Sequence, residues 1–205
     1  MQTVQPSAAP EHLWLKMASR IVLVLPALVA LIFVPAGTLA YWQAWVWLAV
    51  LFVPMVFALV WLYRRSPDLL MRRMKFREKH TAQKRIINVS LLYLLLVLVM
   101  PGLDFRFGWS NAPVWVVLAA DAVFLVGYGV TLLVFSQNRY AARTVEVEAG
   151  QQVITTGLYA FVRHPMYLGV ILMYVSMPLA LGSYWTVLPA LLIIPILVAR
   201  IRKLS

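Results

Sequence analysis

Pro113-Val-Trp-Val-Val-Leu-Ala-Ala-Asp121-Ala-Val-Phe-Leu-Val-Gly127-Tyr128-Gly129-Val-Thr-Leu-Leu-Val-Phe135 decides the fold class. The stretch holds one charged side chain, Asp121, in a run long enough to span a ~30 Å hydrocarbon core, which takes about 20 residues of helix. Runs of the same kind occupy residues 19–40, 43–63, 86–103, 166–181 and 185–200. The expectation is an all-α integral membrane protein of about six transmembrane helices. The last two form a tight antiparallel pair joined at Leu181-Gly182-Ser183-Tyr184. Pro26, Pro35, Pro54, Pro178, Pro189 and Pro195 fall inside these runs, where neighbouring helices can accommodate a kink.

Composition agrees. Hydrophobic residues make up 63% of the 205 and charged residues 12%, and the mean hydropathy is +0.84, which excludes an ordinary soluble domain. The absence of cysteine excludes disulfides, thiolate metal ligation, palmitoylation and prenylation of this chain. His12, His80 and His164 are too scattered to suggest a metal site. The net charge of +11 comes without any aromatic-basic motif, so it points to membrane orientation and not to nucleic acid. Met1–Pro10 is polar, carries no basic side chain and precedes no small-residue cleavage site, so the first span reads as an uncleaved anchor.

The basic residues set the orientation. Lys16 and Arg20 precede the first run, a dense group from Arg64 to Arg85 follows the second, Arg139, Arg143 and Arg163 follow the fourth, and Arg200, Arg202 and Lys203 close the chain. With six spans all of these share one side and only Arg106 lies on the other, which places both termini in the cytoplasm. Trp42, Trp45, Trp109 and Trp185 mark the outer ends as an aromatic belt. One multi-pass membrane domain, 1–205, thus carries a basic cytoplasmic loop at 64–85 and a second polar excursion at 136–162. In that excursion Val145-Glu146-Val147-Glu148 and the β-branched patch after Gly150 suggest a short extended or hairpin segment.

Polar chemistry gathers where this excursion meets the fifth run, at Gly157-Leu-Tyr159-Ala-Phe-Val-Arg163-His164-Pro165-Met-Tyr167. Pro165 disfavours helical geometry at His164 and suits a first helical turn, so a helix should start directly after His164. Arg163 and His164 would then flank a helix N-terminus, which favours anions. A plainer reading makes Arg163 an interfacial anchor and His164 a cap. Asp121 also has two readings, an intramembrane functional group or a hydrogen-bonding tie between helices, with Tyr128 two turns along the same face. Gly127 and Gly129 are expected to permit close helix packing. The 64–85 cluster, interleaved with Leu69, Leu70, Met71, Met74 and Phe76, serves as a topological signal or lies on anionic lipid.

Asn138, Thr156-Gly157-x-Tyr159, Val162-Arg163-His164-Pro165-x-Tyr167-x-Gly169 and Leu181-Gly182-Ser183 follow one another over about 50 residues, and this order resembles the isoprenylcysteine carboxyl methyltransferase family, in its short bacterial type. The resemblance is specific to the C-terminal half. It implies an S-adenosylmethionine-dependent membrane methyltransferase whose cofactor region, 136–205, uses Gly157, Tyr159, Arg163, His164, Pro165 and Tyr167 at the cytoplasmic face of a bacterial inner membrane. Asn138, Arg163 and Arg200 are the candidates for catalysis that it suggests. The family's paired glutamates and covering helix would follow Arg200-Ile201, where this chain stops at Ser205, so the chain reads as truncated relative to the family. The implied acceptor is lipophilic, an isoprenylcysteine-type carboxylate or a lipid, drawn from the bilayer among membrane lipids; no nucleic acid is expected. A non-catalytic scaffold of the same fold, and less readily a transporter using Asp121, are the alternatives.

Overall fold

A computed structural model describes residues 13–65, 81–137, 156–162 and 164–202. Among these residues every regular element is a helix: α1 Leu13–Ala36, α2 Trp42–Arg65, α3 Thr81–Phe107, α4 Val114–Gln137, α5 Leu158–Phe161, α6 Pro165–Ala180, α7 Val187–Ala190 and α8 Ile193–Arg202. Three stretches, Ala18–Ala36, Trp42–Arg64 and Val114–Gln137, are long and apolar enough to cross a membrane. Helix α3 contains the uncharged run 86–103. Helix α6 is apolar but has only 16 residues, about 24 Å of helix. Outward-facing side chains are apolar as well: Leu23 and Phe57 are each 73% exposed and Trp115 72%, the pattern of a surface solvated by hydrocarbon.

The sixth run does not form the continuous helix the sequence suggested. It breaks at Leu191 and Leu192 into α7 and α8. Pro195 has no N–H to offer the Leu191 carbonyl and its ring crowds that position. The chain there closes with tighter bonds, Leu192 N–H to Pro189 O at 3.1 Å and Ile194 N–H to Leu191 O at 3.1 Å.

Helices α4 and α6 form the most extensive contact in the molecule. A Cβ built on Gly169 would stand 2.7 Å from the Gly127 carbonyl oxygen and 2.6 Å from Thr131 Oγ1, so the two backbones meet where neither has a side chain. Farther along, Val134 and Phe135 share a cluster with Met166. Rising numbers on α4 therefore match falling numbers on α6, and the pair is antiparallel. Helices α1 and α3 approach equally closely near one end, where a Gly102 Cβ would lie 2.5 Å from the Ile32 carbonyl oxygen.

The ends that the charge pattern assigns to the outer side do come together. Tyr41 stacks on Phe105 at 4.3 Å between ring centroids, and its hydroxyl donates to the Leu181 carbonyl. Asp104, 2% exposed, accepts from the Ser110 N–H at 2.7 Å, the Ser110 hydroxyl at 2.7 Å and the Ser183 hydroxyl. The Ser183 proton being committed to Asp104, the Thr186 hydroxyl 2.7 Å away donates to Ser183, and the Tyr184 N–H donates to Ser110 Oγ at 3.0 Å. This buried carboxylate is fully satisfied and joins the end of α3 to the turn after α6. Gly182, at φ 74°, makes that turn. The Leu-Gly-Ser portion of the sequence pattern is thus a structural joint, a full length of α6 away from His164.

Candidate functional site

At the other end of the bundle, α4 closes on the segment that leads into α6. Gly157 adopts φ 64°, ψ −130°, a conformation that side chains with a Cβ rarely take. A Cβ there would also meet Gln137 Oε1 at 2.6 Å. The space is taken because Gln137, on the last turn of α4, accepts the Leu158 N–H at 3.0 Å. One side chain thereby fixes the start of α5, a single turn held by Tyr159 N–H to Thr156 O at 3.3 Å and Val162 N–H to Leu158 O at 3.0 Å. Leu158, Tyr159 and Met166 pack against a buried group of Leu62, Val134 and Phe135, with Leu59 and Tyr63 of α2 alongside.

Val162 returns to extended geometry at φ −133°, ψ 124°, and His164 follows at φ −131°, ψ 65° as the N-cap of α6. Pro165 occupies the first helical position and is buried, as the sequence predicted. The His164 carbonyl accepts the Tyr167 N–H at 3.0 Å, and the two rings meet edge to face at 5.9 Å. His164 makes no side-chain capping bond and its ring is exposed. Gly157, Tyr159, His164, Pro165 and Tyr167 therefore collect at one end of the α4–α6 pair. Asn138 and Arg163 lie outside the described residues. So do the 138–155 excursion and the centre of the basic loop, 66–80. Arg200 lies on the last turn of α8.

Asp121 does not belong to this site. It is 4% exposed, 13 residues before Val134 on α4, hence roughly 20 Å away along the helix axis. Neither carboxyl oxygen has a hydrogen-bond partner among the described residues, so the tie to another helix allowed by the sequence is not made there.

Sequence reasoning missed two features. Gln137 was passed over because nothing local marks the last amide of an apolar run as the partner of a residue 21 positions on. The second is a cavity of about 530 Å³ between α2 and α4, lined by Phe57, Ala58, Trp61, Gly129, Leu132, Leu133 and Ser136. Its single hydroxyl, on Ser136, donates to the Leu133 carbonyl at 2.8 Å, so the wall is chemically apolar. Gly129, expected to serve helix packing, opens instead onto free space, for a Cβ there meets nothing within 4 Å.

Residues 115–203, from the first turn of α4 to one residue past α8, match the family model described as phospholipid methyltransferase. No curated protein and no solved structure matches the chain.

Proposed function

We propose, from the match of residues 115–203 to the phospholipid methyltransferase family model, that this chain is a membrane enzyme transferring a methyl group from S-adenosylmethionine to a lipophilic acceptor taken from the bilayer. The observation that carries the reading is the position of the matched region, which covers both apolar walls of the α4–α6 pair and the Gly157–Tyr167 turn at its end. The chain crosses the membrane six times in this reading, α6 and the broken α7–α8 segment completing the count. Both termini and the His164 end face the cytoplasm of a bacterial cell.

S-adenosylmethionine, when bound, supplies a methyl group already activated on a sulfonium. The residues at the turn fit its methionine carboxylate. His164 presents an exposed ring beside the first turn of α6, Arg163 precedes it in sequence, and a helix N-terminus favours an anion. Gly157 keeps backbone bare where the chain passes Gln137, and Tyr159 and Tyr167 supply half-buried rings on either side of His164. These groups hold and orient; the apolar cluster around Leu62 and Phe135 excludes water. A carboxylate acceptor is already ionised and needs no base, whereas an amine acceptor must first lose a proton.

Calorimetry on the detergent-purified chain tests the reading. S-adenosylmethionine should bind, and Arg163→Ala and His164→Ala should each weaken binding about tenfold, the scale of one lost charge-assisted contact. Binding unchanged in both variants would remove the site assignment. No binding at all would favour a non-catalytic protein of the same fold.

A further inference from the structure

We infer that the cavity between α2 and α4 holds the hydrocarbon chain of the methyl acceptor, that Arg64 receives the acceptor's anionic head, and that Gly129 sets the bulk the cavity admits; this rests on the methyl-transfer reading above. The cavity's volume of about 530 Å³ falls within the roughly 300–1,000 Å³ of ordinary ligand sites. Its two walls belong to helices long and apolar enough to cross a membrane, so what reaches it arrives from hydrocarbon. With Ser136 donating to its own helix, the Trp61 indole N–H is the one other polar side-chain group in a lining that is otherwise hydrocarbon.

Two observations turn an apolar recess into an amphiphile site. Trp61 in the wall and Arg64 lie three residues apart on α2 and share a face; Arg64 is exposed, so a cation stands one turn beyond the recess, at the site end of the bundle. Leu62 and Tyr63, directly after Trp61, belong to the cluster that holds Leu158, Tyr159 and Met166. A chain lying along Phe57, Trp61, Leu132 and Leu133 therefore directs its head toward Arg64 and the Gly157–Tyr167 turn. The recess occupies the face of α4 turned away from α6, since Gly127 and Thr131 contact Gly169 whereas residues 129, 132, 133 and 136 repeat on the opposite side. Acceptor chain and α6 thus flank α4 and meet only at its Gln137 end, with an anionic head, carboxylate or phosphate, placed there by charge.

Gly129 makes the inference testable, because a larger side chain fills the recess without striking backbone. A diazirine-bearing fatty acid and its fatty alcohol analogue would be photolysed with the full chain in nanodiscs and the labelled peptides read by mass spectrometry. The acid should label residues 57–61 and 129–136. Gly129→Leu should cut that labelling about tenfold with folding retained, and Gly129→Ala should cut it less. Arg64→Ala should cut labelling by the acid about fivefold and leave the alcohol unchanged. Equal labelling of all variants would show bulk lipid wetting the surface and overturn the proposal, as would an Arg64 effect shared by acid and alcohol. Expected labelling with no methyl transfer to any acceptor would keep the chain site and sink the methyltransferase reading. Methyl transfer whose acceptor KM ignores Gly129→Leu would do the reverse.

Discussion

A methyl group on Gly157 would compete with the Gln137 amide for the same space while forcing a Cβ into a positive φ. Gly157→Ala should therefore cost about 1–3 kcal/mol of local stability, and since the loss falls on the turn that presents His164, S-adenosylmethionine affinity should fall more than the melting temperature does. Calorimetry paired with thermal unfolding separates the two. His164 and Pro165 were legible in the sequence because each acts through its own backbone, a proline at a first helical turn and a cap before it; Gly157 stood out only through the family resemblance, and its positive φ is a feature of the fold. Gln137 was not legible, because its role depends on what the fold brings against it. Asp121 shows the converse. Its residue type announces importance inside a membrane run, yet both oxygens are without a partner among the described residues and lie far from the turn.

Helix α4 carries two glycines two positions apart that do opposite things. A Cβ on Gly127 would meet the Gly169 carbonyl oxygen at 2.7 Å and Met173 Cγ at 2.9 Å, whereas one on Gly129 would meet nothing within 4 Å. Gly127→Val should push α6 off α4 at a cost of about 2–3 kcal/mol, whereas Gly129→Ala should be neutral or raise stability by up to about 1 kcal/mol through helix propensity. Equilibrium unfolding in mixed micelles would show the contrast, and equal effects would refute the packing described. Composition cannot separate these glycines, as both sit in the same apolar run and differ only in which face of the helix they occupy. Long apolar runs are readable because hydropathy and length are local properties, which is why α1, α2 and α4 appear where they were expected. The break at Leu191 and Leu192 escaped a count based on length alone, although Pro195 encodes it.

Across the whole molecule, the N-terminal half holds the matched region in shape. Tyr41 binds the Leu181 carbonyl, Asp104 binds Ser183, and the Tyr93 hydroxyl donates to the Ala190 carbonyl at 2.7 Å. All three donors or acceptors precede residue 115, so the region that carries the family likeness takes part of its framework from a region that carries none. Asp104→Ala should strand Ser110 and Ser183 and cost about 3 kcal/mol, with Asp104→Asn losing less, both read as midpoint shifts in denaturant. The same joint sets an order of events during synthesis. Ser183 is made 79 residues after Asp104, which at about 5–20 residues per second is a wait on the order of ten seconds. Ser110, only six residues downstream, exists almost at once. A newborn α3 can therefore satisfy its carboxylate locally while the second half of the chain is still being translated, and the bundle is closed at its Asp104 end when Ser183 arrives.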